Sequence, residues 1–392
     1  MQRTVILTLG IVCVVVLHTA SPAQDPPTEA RADDPAKKSV IPFRPLQKRT
    51  IAEAPPPDNW RYEAFQWYIG MCAFIIGACV GSFLNVVIYR LPLGMGLLRA
   101  DSHCPVCKMP IAFKDNVPIL AWFKLRGRCR ECAARISPRY MVVELTTALL
   151  FLYLAVVELF SGGANLPGNA FVDVSVSPLA ALDGELIGIY LTHCFAASAL
   201  VCCVLIAGDG HAIPRSLTIP TILVGLFSPF RVASQSPLLA EGPGAGFLHA
   251  VLGLVVGGLL GGLLGLGERY DAQGKKRQLN LAIVTAVIGC YFGWDVSLFA
   301  MSITAAVMVV ASVSGKRPAG MLRFPAVAIP AIVVFALIPI WRGVESAWWW
   351  PHPLRFPASA VAAILGLGVV GLGVRNLRSR DNGIKRGSPH SG

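Results

Sequence analysis

Charge is what this chain has least of. Of its 392 residues only 14% are Asp, Glu, Lys or Arg, against about 25% in a soluble domain, while 54% are hydrophobic. That shortage excludes a mainly soluble protein. Repeats of fixed period are absent too, which removes solenoids and propellers from consideration. What is present is a series of apolar blocks, most of them long enough to cross ~30 Å of hydrocarbon. The chain therefore reads as an all-α polytopic membrane protein. Its net charge of +12 could suggest a nucleic-acid partner in a soluble protein. In a membrane protein such an excess marks cytoplasmic loops, and no nucleic acid is expected.

Met1-Gln2-Arg3 precedes an apolar run from Val5 to Leu17 and then Ser21-Pro22-Ala23. This predicts a signal peptide over 1–23, the other reading being an uncleaved anchor helix. Residues 24–63 hold Pro26, Pro27, Pro35, Pro42, Pro45 and Pro55-Pro56-Pro57 among mixed charges, the composition of an extended, disordered linker. Spans are expected at about 64–89, 141–160, 185–207, 216–230, 246–267, 280–294, 296–314, 324–341 and 357–375, nine after the signal. The last two follow the main bundle as an addition over 324–375, and 376–392 is a basic tail.

Orientation follows from loop charge. Arg90, Arg99, Lys108, Lys114, Lys124, Arg126, Arg128, Arg130, Arg135 and Arg139 face only Asp101, Asp115 and Glu131, so this loop is placed in the cytoplasm. Residues 162–182 contain no Lys or Arg and are placed outside. The linker, with seven Lys or Arg through Arg61, opposes the rule, but the larger block after Arg90 outweighs it. Trp348-Trp349-Trp350 with Trp341 reads as an outer aromatic belt.

The chain has 11 Cys, and four stand apart. Cys104-Pro-Val-Cys107 and Cys129-Arg-Glu-Cys132 form two C-x2-C turns in a cytoplasmic loop, where thiols stay reduced. Each turn places two sulfurs on one tetrahedral ion, which predicts a closed, structural four-cysteine zinc site; four unliganded packing thiols are the plainer reading. His103 reads as solvated. Cys13, Cys72, Cys79, Cys194, Cys202, Cys203 and Cys290 lie in apolar segments and read as small packing residues.

Around the cysteines run Gly81-Ser-Phe-Leu-Asn-Val-Val-Ile-Tyr-Arg90-Leu-Pro92, Asp115-Asn-Val-Pro118, Leu125-Arg-Gly-Arg-Cys129-Arg, Ile136-Ser-Pro-Arg-Tyr140 and Val143-Glu144-Leu. Over about 75–150 this text closely resembles the N-terminal domain of the type IV prepilin leader peptidases, bifunctional peptidase/N-methyltransferases. The resemblance implies an N-terminal prepilin-peptidase domain over 64–160 and a membrane aspartyl-peptidase-like domain over 185–315, in the bacterial inner membrane. It implies cleavage of type IV pilin-like or type II secretion pseudopilin precursors before their apolar helix. It also implies methylation of the new amine with S-adenosylmethionine, and pilus or secretion assembly proteins as partners. Glu144, at the inner end of a span, is the carboxylate to watch. A helix-end salt bridge with Arg139 or Arg90 is the alternative.

The second half departs from the family pattern. In Ala207-Gly-Asp209-Gly-His-Ala-Ile-Pro214-Arg-Ser-Leu217-Thr218 the first catalytic Asp position is Ala207, and Arg215 replaces the Asp after Pro. Counting back from Gly293-Trp294 puts the second on Leu281, in Gln278-Leu-Asn-Leu281. An aspartyl protease needs two carboxylates that share a proton. Asp209 with Glu268, or with Asp271, is the candidate rebuilt pair; the plainer reading of Asp209 is a helix-terminus acid in contact with His211 or Arg215. Leader cleavage is accordingly expected to be weak or absent. Two readings follow: a working processing enzyme, or a pseudoenzyme that binds pilin-like helices without cutting. A transporter that borrowed a zinc knuckle is disfavoured by the few intramembrane charges.

Overall fold

The structure, a computed structural model, describes residues 59–97, 103–166, 183–228, 245–267, 272–313 and 325–345. Helix α1 (Asn59–Arg90) leads into the cysteine loop, which contains the short α2 (Leu120–Lys124). Then come α3 (Pro138–Leu154), α4 (Gly184–Gly208), α5 (Arg215–Phe227), α6 (Ala245–Leu264), α7 (Ala272–Phe292), α8 (Trp294–Val313), α9 (Pro325–Leu337) and α10 (Trp341–Glu345). Among the described residues the extended pairings are two isolated bridges, His103 with Pro110 and Arg128 with Arg135. The fold is all-helical, as its composition requires.

Among the described residues five helices are long and apolar enough to cross a membrane: Glu63–Leu93, Pro138–Leu159, Gly184–Gly208, Gly246–Leu264 and Ala326–Val344. Two other expected spans fall short of that standard. One is the shorter apolar helix Arg215–Phe227, which at 1.5 Å per residue covers about 20 Å, less than the ~30 Å of hydrocarbon. The segment expected at 280–294 is the second half of α7, whose opening turns carry Lys275, Lys276 and Arg277. The expected signal, the span at 357–375, the basic tail and the three consecutive tryptophans lie outside the described residues. Trp341 is 1% exposed and packs in the core, so it is no part of an interfacial belt.

Small residues set the helix pairs. Lipid is as apolar as leucine, so helices in it gain by close approach rather than by hiding from water. A Cβ on Gly77 of α1 would lie 2.8 Å from the Ala148 Cα of α3, and one on Gly81 would lie 2.7 Å from the Glu144 Cα. On α6 the four-residue spacing Gly253, Gly257, Gly261, Gly265 faces Gly289, Thr285, Leu281 and Gln278 of α7. The pairs α1–α3 and α6–α7 are the two tightest in the bundle, and α4 connects them. Ser137 caps α3 by accepting from the Arg139 N–H, and Asp183 caps α4 by accepting from Glu185 and Leu186.

Candidate functional site

The cysteine loop folds as two matching knuckles. In the first, Lys108 N–H donates to the Cys104 carbonyl at 2.9 Å and Cys104 N–H to Met109 at 3.0 Å. In the second, Ala133 N–H donates to Cys129 at 3.0 Å and Cys129 N–H to Ala134 at 2.8 Å. Both turns close through a residue of left-handed backbone, Lys108 at φ 61° and Ala133 at φ 55°. Together they bring all four sulfurs within 4.8 Å of one another. Cys104 Sγ lies 3.8 Å from Cys132 Sγ, and Cys107 Sγ lies 4.0 Å from Cys129 Sγ. Four thiolates bound at about 2.3 Å to a tetrahedral ion stand about 3.8 Å apart. The geometry therefore suits a metal ion such as zinc.

Local fields prepare the thiols for that role. Backbone N–H groups of Cys107 and Val106 hold the Cys104 thiol down to about 6. The Met109 amide pulls Cys107 down as well, but burial and the three neighbouring sulfurs outweigh it and push this thiol up to about 11. The Cys104 thiolate forms readily, while Cys107 needs a cation to displace its proton. His103 is exposed beside the cluster. The other described cysteines are free thiols in the helices, with Cys194, Cys202, Cys203 and Cys290 buried.

Three polar ties fix the module. Asp115 is buried and accepts from Arg130, with Nε to Oδ2 at 2.5 Å and a second bond from Nη2 to Oδ1. Those bonds hold its carboxyl below the ordinary carboxylate range. Trp122 Nε1 donates to the Ile136 carbonyl at 3.2 Å. Its ring lies under Gly127, where φ is 64° and a Cβ would sit 2.9 Å from Trp122 Cζ2, so only glycine fits there. The third tie reaches the membrane helices. Ile119 N–H donates to Glu144 Oε2 at 2.7 Å, and the Ser82 hydroxyl bonds the same carboxylate. Ile119 has φ 63°, a backbone that β-branched residues avoid, so this contact holds a strained turn. Glu144 is thus the joint between the module and the α1–α3 pair.

The salt bridge weighed between Glu144 and Arg139 does not form. Arg139 instead reaches 70 residues along the chain and donates to Asp209, Nη1 to Oδ1 at 2.8 Å and Nη2 to Oδ2 at 2.6 Å. Asp209 ends α4 and is 35% exposed in its side chain. The expected contacts with His211 or Arg215 are replaced by this fork. The loop after Asp209 is gripped by α7. Asn280 accepts from the Ile213 N–H at 3.0 Å and donates to the His211 carbonyl at 2.8 Å. Asn280 is 2% exposed and precedes Leu281, so α7 brings that region to the 209–214 loop, as the two-motif comparison required. Ala207 and Leu281 are both buried and carry no acid. Glu268 and Asp271 lie outside the described residues. Sequence reading missed Asn280, which follows Lys275, Lys276, Arg277 and Gln278 and so reads as part of a polar helix start.

Known proteins resemble the chain in two ways. The family model for the Bacterial Peptidase A24 N-terminal domain matches residues 75–157. A Klebsiella pneumoniae protein named prepilin leader peptidase/N-methyltransferase is 34% identical over 193 residues, 47% of this chain and 72% of the relative. A Neisseria gonorrhoeae protein of the same name is 28% identical over 313 residues, 72% of this chain and 95% of the relative. A Myxococcus xanthus protein, again so named, is 34% identical over 227 residues, 56% of this chain. There the match spans only 55% of the relative's length. No solved structure matches the chain.

Proposed function

The chain belongs to the prepilin leader peptidase/N-methyltransferase family, and from that membership we propose that it processes type IV pilin-like or type II secretion pseudopilin precursors in the bacterial inner membrane. The observation that carries this is the four-cysteine module, complete in both knuckles and seated on α1 and α3 through Glu144. In this reading the module holds one zinc ion, faces the cytoplasm, and belongs to a chain of nine spans. The substrate is an apolar helix preceded by a leader, and the partners are pilus or secretion assembly proteins. S-adenosylmethionine supplies the methyl group for the amine that cleavage exposes. Such transfer needs the amine deprotonated and held at the membrane face, where the Glu144 joint fixes the module.

Cleavage is assigned to Asp209 with Glu268. For this pair to activate water, Asp209 must leave Arg139 and share a proton with the second acid. A second reading rests on a specific observation. Both family acid positions are apolar, and both Asp209 oxygens are already engaged by one guanidinium. On that reading the chain binds leader-bearing helices without cutting them. The test supplies a pilin-like helix with its mature N-terminus already exposed, in membranes with S-adenosylmethionine and the full chain. A mass gain of one methyl group is expected. An unmodified helix that also fails to crosslink to the chain would reject both readings.

A further inference from the structure

A second polar group lies far from the cytoplasmic corner. Glu158 follows Arg139 by nineteen helical positions, which at 1.5 Å each places it about 28 Å away, toward the other face. The helix widens there into a π turn over Ala155–Leu159, a deviation that often accompanies functional side chains. Glu158 is 0% exposed. Its Oε1 lies 2.6 Å from His193 Nδ1 of α4, and its Oε2 is buried with no partner.

A run of aromatic rings leads from this pair to Trp341. The His193 ring stacks on Phe292 at 4.9 Å, and Phe292 lies 6.0 Å from the Trp341 ring. Trp341 Nε1 is also buried with no partner. Its chain is tied to the turn after Glu158, because Asn165 donates to the Ile338 carbonyl at 3.0 Å and accepts from the Arg342 N–H at 3.0 Å. This corner thus holds an orphan acceptor and an orphan donor, both inside a membrane bundle. An orphan group there is costly unless something satisfies it.

We propose that Glu158, His193 and Trp341 form a second site, in the outer half of the bundle, that binds water. The chemistry selects the ligand. The indole N–H needs an acceptor and the carboxyl oxygen a donor; a metal cation or an ammonium offers the indole no acceptor, whereas water serves either. Around it stand a carboxyl and an imidazole already sharing a hydrogen bond, so the bound water gives an intramembrane acid–base pair a route for proton exchange with bulk solvent. The site is independent of leader processing.

The test uses the full chain in lipid nanodiscs. Infrared difference spectra between H2O and D2O are compared for wild type and Glu158→Gln, whose difference isolates the Glu158 band. That band should exchange within seconds. Radical footprinting supplies the second measurement, in which Trp341 should be oxidised at least ~10-fold faster in wild type than in Glu158→Leu, a change that removes the water's acceptor. A Glu158 band that does not move over hours, or equal Trp341 labelling in a folded Glu158→Leu protein, would show a dry corner and overturn the proposal.

Discussion

The cysteine module and the Asp209 corner meet at one membrane edge, joined by the short run from Cys132 to Arg139, but they are held by opposite means. In the module all four cysteines stand close enough to hold one ion, and each knuckle closes on bonds between residues a few positions apart. In the corner the buried Ala207 and Leu281 carry no acid, and the loop is held by partners about 70 residues away, Arg139 and Asn280. Local motifs keep their geometry with their sequence. A constellation built from distant helices depends on how those helices cross.

The contrast is tested most strongly by removing metal. Chelation, or Cys104→Ser with Cys129→Ser, should raise proteolysis within 103–137 by ~100-fold, since structural zinc carries much of a small module's folding energy. Circular dichroism should show the membrane helices intact, and their collapse would break the division. Next in size is Gly257→Val in α6. Its side chain would strike the Thr285 carbonyl of α7, and overpacking of this kind costs about 3 kcal/mol, read by denaturant titration in detergent. Zinc content should not change.

Glu144→Ala sharpens the comparison from the module's side. It leaves the Ile119 N–H without its acceptor, an effect of about 1–3 kcal/mol on docking, and should loosen the loop while zinc stays bound. Metal loss in that variant would mean the knuckles depend on the joint. The smallest effect belongs to the corner. Arg139 and Asp209 are 44% and 35% exposed, so solvent screens them, and a double-mutant cycle with Arg139→Gln and Asp209→Asn should give a coupling of about 1 kcal/mol or less.

Much of this was legible in the sequence, but unevenly. The C-x2-C turns and the apolar spans were, because both signals live within one turn or one helix. The Gly253-to-Gly265 spacing was printed plainly too, yet only a facing helix gives it meaning. Trp341 was misread because an indole between apolar runs has the same local text in a core as at an interface. The pairs Arg139–Asp209 and Glu158–His193 have no sequence period at all, since they arise where separate helices cross. Helix α5 was expected as a full span, and its apolar run simply stops short.

The central proposal is leader processing, with cleavage slowed because Arg139 holds both Asp209 oxygens. Co-expression with a pilin-like precursor, read by intact mass, tests it directly beside the Klebsiella pneumoniae relative. The account predicts leader removal slower by ~100-fold or more than with the relative, lost entirely in Asp209→Asn. Rapid, complete leader removal by the wild-type chain that vanishes in Asp209→Asn would contradict it, and would mean that Asp209 leaves Arg139 to form a fully competent dyad.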